Sequence, residues 1–342
     1  MTPDRDEALA RDIRSYCAEI GQDQLLVQGP GGNVSWKEGS TLWVKASGTW
    51  LAHADDTEIF IPVDLQDLQQ SIERQDFSAK ASILAQTEQR PSIETMLHAL
   101  MPHRIVVHLH AIDVLVQLVL RDANDRLARQ LEERKDWVFV DYNKPGAELA
   151  AAVDEALRAN PGANIVFLKN HGIVLGGENI DGIRGLLART LDELQTFAPC
   201  NTEAAPSAVP EHDLAKLGYA PSRDPCIHAL SCDPVQIARL NENWALYPDH
   251  VVFLGAEPSI WSPELKLSLQ DQPGSERSPY IFVPGIGTYE FEHATPAQKE
   301  QMRCYSDVVN RLPTHLQTDT LSISDIADLL DWDAEKFRQG NN

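Results

Sequence analysis

The sequence is poor in cysteine and in basic residues. Its 342 residues include five cysteines, an odd number with no C-x-x-C spacing. This excludes both a disulfide framework and a cysteine zinc knuckle and predicts reduced thiols. Only 29 Lys and Arg stand against 51 Asp and Glu, a formal charge of -22. Because such a field repels phosphate backbones and anionic lipids, we expect no nucleic acid or membrane partner.

Long apolar runs are also missing. Nowhere do about 18 apolar residues follow one another, as a membrane-spanning helix requires. Residues 1–14 alternate charges and lack the apolar stretch of a signal peptide. We therefore expect a soluble, cytoplasmic protein. The 43% of apolar residues is enough to build a globular core.

Helix and strand patterns alternate along the first half of the chain, which predicts a mixed α/β fold. A Gly-rich turn is expected at 28–33. The predicted helices are 4–20, 93–100, 114–120 and 181–197, and the predicted strands are 41–45, 58–63, 105–110 and 164–169.

Residues 197–210 are rich in Ala, Pro, Ser and Thr and poor in large apolar residues, which predicts a linker. We therefore divide the chain into residues 1–200 and a smaller α/β module at 211–342. The patterns in this module predict helices at 234–246, 296–312 and 323–339, strands at 250–254 and 280–283, and a turn at 284–287.

Three histidines stand at the ends of apolar strands. His108 and His110 are two residues apart, so a strand turns both imidazoles to one face. His171 follows the strand at 164–169 and precedes a glycine. Three imidazoles with an open fourth position suit a catalytic divalent metal, with zinc as first choice. Taken singly, these histidines are also compatible with packing, surface or turn roles.

A carboxylate lies upstream of these histidines. Glu94 begins the helix predicted at 93–100, and Ser92 can expose its hydroxyl or cap that helix. Near a metal, Glu94 can serve as a ligand or as a base. Taken alone, it is compatible with a solvated acid interacting with the helix dipole.

Short motifs spread over residues 5–200 resemble the class II aldolase/adducin family, which includes sugar-phosphate aldolases. Its motifs appear here in order as Gly32-Asn33-Val-Ser35, Ala46-Ser-Gly48, Pro91-Ser-Ile-Glu94, His108-Leu-His110, Tyr142 and Asn170-His-Gly172. In the tail, three motifs are similar to the aldolase portion of bifunctional aldolase/short-chain dehydrogenase proteins, namely Tyr247-Pro-Asp-His250, Pro284-Gly-Ile-Gly287 and Trp332-Asp-Ala-Glu-Lys336. We expect no dehydrogenase domain, since the sequence lacks its Gly-rich turn.

The resemblance implies a fold and a reaction. The fold is an α/β/α sandwich around a largely antiparallel sheet. His108, His110 and His171 match the family's zinc ligands, and Glu94 matches an acid that is ligand at rest and acid/base in turnover. The zinc, or another divalent metal, stabilises the enediolate formed when a retro-aldol reaction splits a small ketose or ketose phosphate.

The resemblance also implies substrate-binding residues and an oligomer. Tyr142 matches a tyrosine that crosses a subunit boundary, so we expect a homo-oligomer. Ile93 replaces a family serine, which removes one hydroxyl donor and favours an unphosphorylated or differently placed substrate. Lys45 could compensate, although a strand lysine is usually a solvated edge charge. The residues that match the family's phosphate site are Gly32, Asn33, Ser47, Gly48 and Ser92.

Several alternatives stay open at this point. An epimerase or a dehydratase can use the same metal site. Adducin-like relatives keep the fold as non-catalytic interaction proteins, but they lose the metal ligands that this sequence retains. The C-terminal module, residues 211–342, has no role that the sequence assigns, and a further hypothesis is that it regulates the site or delivers substrate to it.

Overall fold

A seven-stranded sheet forms the centre of the N-terminal part of the chain. The computed structural model describes residues 3–194, 197, 212–271, 273 and 277–340. The strands are β1 (Asn33–Glu38), β2 (Thr41–Lys45), β3 (Phe60–Asp64), β4 (Ile105–Leu109), β5 (Trp137–Val140), β6 (Ile165–Leu168) and β7 (Gly172–Gly177). Their order is β3-β2-β1-β4-β7-β6-β5, and only β5 and β6 pair in parallel. The predicted α/β class with a largely antiparallel sheet is confirmed.

Helices cover both faces of this sheet. They are α1 (Pro3–Gln22), α2 (Leu65–Glu73), α3 (Thr95–Leu100), α4 (Ile112–Leu118), α5 (Ala123–Gln130), α6 (Ala147–Ala159) and α7 (Ile180–Glu193), and a short 3-10 helix spans Leu51–His53. Side chains alternate along β4, so Val107 packs on the face that α1 and α7 cover. Val106 points the other way and packs with Leu149 of α6. The result is the predicted α/β/α sandwich.

The C-terminal part contains a second, smaller sheet. Its strands are β8 (Tyr219–Pro221), β9 (Tyr280–Val283) and β10 (Gly287–Phe291), in the antiparallel order β8-β10-β9. Its helices are α8 (His212–Lys216), α9 (Pro225–Ala229), α10 (Pro234–Glu242), α11 (Pro248–Leu254), α12 (Pro263–Asp271), α13 (Pro296–Arg311), α14 (Ile323–Leu330) and α15 (Asp333–Gly340).

This part packs directly on the first. Ile112 and Leu115 of α4 share one buried cluster with Trp244 and with Tyr305 of α13. The linker predicted at 197–210 lies, apart from Phe197, outside the described residues. The division into 1–200 and 211–342 therefore stays a prediction.

Two predictions for the C-terminal part are wrong. Residues 250–254 form helix α11 and not a strand, because a short buried apolar run fits either structure and Pro248 occupies the first turn of the helix. The helix predicted at 323–339 is two helices, α14 and α15. Between them lies Trp332, where the chain turns, and its ring packs over Lys144 and Gly146.

The described cysteines are reduced, as their number and spacing predicted. Cys17, Cys226, Cys232 and Cys304 are free thiols, and Cys200 lies outside the described residues. Among the described residues, no helix combines the length and the apolar character needed to cross a bilayer.

The imidazole of His250 is enclosed by aromatic rings in this C-terminal core. Its centroid lies 4.3 Å from that of Trp244 and 4.5 Å from that of Tyr305. Neither ring nitrogen has a hydrogen-bond partner among the described residues. Burial lowers the pKa of His250 from 6.5 to about 3. The unfolded chain therefore binds a proton below pH 6.5 that the folded chain does not bind.

Replacing His250 with phenylalanine is expected to weaken the acid sensitivity of the metal-free protein. A histidine whose pKa is lowered on folding stabilises the fold above pH 6.5 and loses this contribution as the pH falls. The free energy of unfolding should then fall less steeply below pH 6.5, by up to about 1.4 kcal/mol per pH unit. Urea titrations with a chelator present measure this, with the exposed His293→Phe as control. Equal slopes for His250→Phe and wild type would contradict the expectation.

Candidate metal centre and cleft

Three imidazoles meet where β4 ends beside the start of β7. Antiparallel pairing sets His108 opposite Val174 and Leu109 opposite Ile173. This register brings the turn that carries His171 next to the end of β4. One ring nitrogen from each of His108, His110 and His171 lies within 4.8 Å of the other two, and all three residues are buried. The structure therefore brings together the three histidines singled out from the sequence.

The turn before β7 has the backbone geometry that this approach needs. Asn170 adopts a positive φ of 53°, and its side-chain amide donates to the carbonyl of Leu246 at 2.8 Å. A Cβ at Gly172 would lie 2.3 Å from the carbonyl oxygen of Leu109 and 3.1 Å from Cδ2 of His110. Only glycine therefore lets the turn pack so closely against the end of β4.

Glu94 completes the cluster from the N-terminus of α3. Its Oε2 lies 3.6 Å from Nε2 of His108, and its Oε1 lies 3.4 Å from Nε2 of His171. Asn33 holds the carboxylate by donating to Oε2 at 2.8 Å. Burial opposes ionisation, but the pKa of Glu94 is brought below its ordinary value by the positive charge that His108 and His171 carry when protonated and by the permanent charge of Arg338. The side chain is therefore available as a carboxylate.

The donor set fits a divalent cation. Nδ1 of His108 lies 3.1 Å from the carbonyl oxygen of Ile173, so a proton placed there leaves the Nε2 lone pair facing the other histidines. Burial lowers the pKa of His110 and of His171 to about 3, which keeps both imidazoles neutral, as metal ligands must be. Among the described residues, the buried Oε1 of Glu94 has no hydrogen-bond partner. A bound metal would satisfy these groups.

A cleft that is open to solvent leads to these ligands. All five residues that match the family's phosphate site line it together with Glu94, His110 and His171. The backbone of Gly32 and of Gly48 has positive φ, 67° and 80° respectively. The five residues are Gly32, Asn33, Ser47, Gly48 and Ser92.

Residues 91–93 form one wall of this cleft. An isolated β-bridge between Ala46 and Pro91 holds the loop of Ser47 beside Ser92. The Ser92 hydroxyl accepts from the amide of Glu94 at 3.2 Å, a local serine turn just before α3. Ile93 also lines the cleft and presents an aliphatic side chain to it.

Lys45 corrects the expectation of a solvated edge charge. It lies on β2, which pairs with β1 on one side and with β3 on the other, so this strand is not an edge. Its side chain is buried and donates to the carbonyl oxygens of Pro30 at 3.1 Å and Thr49 at 2.6 Å. Burial lowers the pKa of Lys45 to about 7, and the residue lines the cleft.

The C-terminal part supplies three charged residues that sequence reasoning missed. Asp249, Glu335 and Arg338 line the cleft, and all three are buried. Oδ2 of Asp249 lies 3.4 Å from Nδ1 of His110. The tail motifs quoted for the resemblance include Asp249 and Glu335, but no local pattern indicates that they approach the histidines.

Tyr142 lies outside the cleft within one chain. It follows β5, is not among the described residues that line the cleft, and packs against a buried cluster that includes Val252 and Leu329. Its buried hydroxyl has no hydrogen-bond partner among the described residues. Burial, reinforced by acidic neighbours such as Asp325, raises its pKa well above the ordinary value. Its role in catalysis across a subunit boundary stays a prediction.

The geometry defines a class of protein: a mixed α/β sandwich that carries a buried cluster of three histidines and one glutamate at the end of a cleft. The sequence matches the family described as Class II Aldolase and Adducin N-terminal domain over residues 11–188. The chain belongs to the class II aldolase and adducin family, as its motifs indicated.

The individual proteins that the chain resembles share 30% or less of its residues over the matched segments. The uncharacterized oxidoreductase YuxG of Bacillus subtilis (strain 168) is 30% identical over 175 residues, a match that spans 46% of this chain and 25% of that protein. The N-terminal class II aldolase domain of a conserved protein from Thermoplasma acidophilum is 25% identical, with a TM-score of 0.46, over 53% of this chain and 90% of that one. A sugar-phosphate aldolase from Thermotoga maritima is 13% identical, with a TM-score of 0.44, over 55% and 93%.

Proposed function

We propose that the protein is a metal-dependent aldehyde-lyase that cleaves a small ketose or ketose phosphate by a retro-aldol reaction. The observation that carries this proposal is the convergence of three buried imidazoles with Glu94 at the end of an open cleft. Membership of the class II aldolase and adducin family supports it. Retention of all four residues also weighs against a non-catalytic, adducin-like role.

His108, His110 and His171 would hold the metal, with zinc as first choice and Glu94 as a further ligand at rest. The bound cation would polarise the substrate carbonyl and stabilise the negative charge that bond cleavage produces. Glu94 starts as a carboxylate in the same cavity, so it can accept the proton that the substrate hydroxyl loses when the bond breaks and donate it to the carbon from which the aldehyde leaves. Asn33 fixes this carboxylate through the 2.8 Å hydrogen bond to Oε2.

Backbone amides and small hydroxyls bind the far end of the substrate in this proposal. Such a cradle needs no net positive charge. Ile93 provides no hydroxyl donor, and among the described residues that line the cleft Lys45 and Arg338 can carry positive charge. The residues assigned to this role are Gly32, Asn33, Ser47, Gly48 and Ser92.

Metal analysis and a substrate screen test the proposal together. We expect about one zinc per chain after purification without chelator. The zinc-loaded protein is then incubated with a panel of ketose 1-phosphates, free ketoses and sugar acids. Release of an aldehyde and a three-carbon ketone supports the proposal. A metal-free, inactive protein would refute it, and an epimer or a dehydrated product would assign the site to an epimerase or a dehydratase.

Replacing Ile93 with serine is expected to shift substrate preference. A serine hydroxyl would add one hydrogen-bond donor to the phosphate-binding end of the cleft. A neutral hydrogen bond contributes about 0.5–1.5 kcal/mol, so kcat/KM for a phosphorylated ketose should rise about 2- to 10-fold relative to the free ketose. Ile93→Val is the matched control, since it changes the side chain without adding a donor. An unchanged preference in Ile93→Ser would contradict this assignment.

We also propose that the active form is a homo-oligomer in which Tyr142 serves the cleft of a neighbouring chain. Sedimentation of the zinc-loaded protein measures the oligomeric state. Mixing Tyr142→Phe with Glu94→Gln chains tests the shared site, because a hybrid oligomer would then contain some clefts with both residues intact. A monomer, or inactive mixed oligomers, would contradict this arrangement.

A further inference from the structure

Asp249 is a buried carboxylate in direct contact with a candidate metal ligand. It lies in the first turn of α11, in the C-terminal part of the chain, and is 4% exposed. Its Oδ2 is 3.4 Å from Nδ1 of His110. Nε2 of the same ring faces Nε2 of His108 at 3.1 Å. One side of the imidazole therefore faces a carboxylate, and the other side faces the candidate metal site.

We propose that Asp249 is a positioning residue that sets the orientation and tautomer of His110 for metal binding, and that Arg338 holds Asp249 in place. The C-terminal part would thereby complete the metal centre of the N-terminal sheet. This inference rests on the metal-binding part of the proposed function. It concerns residues beyond the segment that matches the family, which ends at residue 188.

The chemistry of the pair determines which nitrogen binds the metal. A neutral imidazole has one N–H and one lone pair, and an ionised carboxylate can only accept. Asp249 therefore favours the proton on Nδ1 of His110 and leaves the Nε2 lone pair for a cation. The carbonyl oxygen of Ile173 acts in the same way on Nδ1 of His108, at 3.1 Å. Metal-binding histidines commonly have such partners, which also fix the ring plane.

Local packing leaves room for this contact. A Cβ at Gly31 would lie 3.0 Å from Nδ1 of His110 and 3.1 Å from Oδ2 of Asp249. These distances are shorter than an ordinary van der Waals contact, so a side chain at position 31 would force the His110 ring or the Asp249 carboxylate to shift. From the other side, Gln301 directs its amide to Oδ2 of Asp249 at 3.4 Å.

Arg338 offsets the cost of burying Asp249. Two of its nitrogens donate to the two carboxylate oxygens, at 2.6 Å and 2.7 Å. A bidentate pair of this kind fixes the plane of the carboxylate as well as its position. Glu335 accepts from the same guanidinium at 3.3 Å, and burial raises the pKa of this second carboxyl group. The carboxylate of Asp249 therefore already balances the positive charge that would otherwise repel a metal cation.

The affinity for Zn²⁺ tests the proposal. Asp249→Asn keeps the shape of the side chain and removes its charge. We expect the dissociation constant for Zn²⁺ to be 10- to 100-fold larger than that of the wild type. The matched control is Asp307→Asn, which removes another buried, arginine-paired carboxylate of the C-terminal part that does not line the cleft. Competition with a chromophoric chelator measures affinity, and the visible spectrum of the Co²⁺-loaded protein reports the ligand geometry. We expect Asp307→Asn to retain the wild-type affinity and spectrum.

The outcomes separate this inference from the proposed function. If the wild type binds no metal, both fail. If Asp249→Asn folds and keeps the wild-type affinity and Co²⁺ spectrum, only the positioning role fails. If Asp249→Asn does not fold, the ring-nitrogen NMR spectrum of the zinc-loaded wild type decides. Coordination through Nε2 with a proton on Nδ1 of His110 supports the role, and coordination through Nδ1 overturns it.

Discussion

Replacing Glu94 with glutamine is expected to lower kcat for retro-aldol cleavage by about 10²- to 10⁴-fold, the usual contribution of a positioned acid/base. Glutamine keeps the shape of the side chain and its hydrogen-bonding capacity toward Asn33, but it can neither accept the substrate's hydroxyl proton nor donate a proton to the reacting carbon. Steady-state kinetics with the substrate identified in the screen measures the effect. The three histidines remain, so zinc should still be found in the purified variant.

An exposed glutamate provides the control for this experiment. Glu58 pairs with Arg14 at the surface, and Glu58→Gln should retain the wild-type rate. Wild-type activity of Glu94→Gln with zinc bound would refute the acid/base role. Loss of both zinc and activity would instead assign Glu94 to metal binding.

Removing one imidazole is expected to have the largest effect on the metal centre. His171→Ala takes away one of three ligands, so the affinity for Zn²⁺ should fall by more than the roughly 100-fold that loss of an outer hydrogen-bond partner costs. Zinc at about 100 times its dissociation constant stabilises a folded protein by about 2.7 kcal/mol. This stabilisation should be present in the wild type and absent in His171→Ala at the same zinc concentration.

Chelator competition and thermal unfolding with and without zinc measure both quantities. The control is His315→Ala, because His315 is exposed and lies outside the cleft. If His171→Ala binds zinc as tightly as the wild type does, the three-histidine centre is wrong.

The candidate ligands could be recognised from the sequence because their patterns are local. Residues i and i+2 of a strand point to the same face, so the sequence alone predicts that His108 and His110 lie close together. His171 could only be placed at the end of a strand. The antiparallel register of β4 and β7 decided that this end lies beside the other two histidines.

Two local interpretations failed because their neighbours were unknown. Lys45 was expected at an edge, but β3 pairs on the outer side of β2 and the residue is buried. The apolar run at 250–254 has no periodicity that distinguishes a buried strand from a buried helix. Packing of α11 against α13 and α14 accounts for its burial.

The amino-acid sequence by itself determined the α/β class, the family and the four residues of the candidate centre, because each depends on a short motif or on side-chain alternation. Only the tertiary structure decided that Asp249, paired with Arg338, lies against His110. These contacts join helices α11 and α15, near one end of the chain, to the residue that follows β4. Such a contact depends on how whole elements pack, which no local pattern encodes.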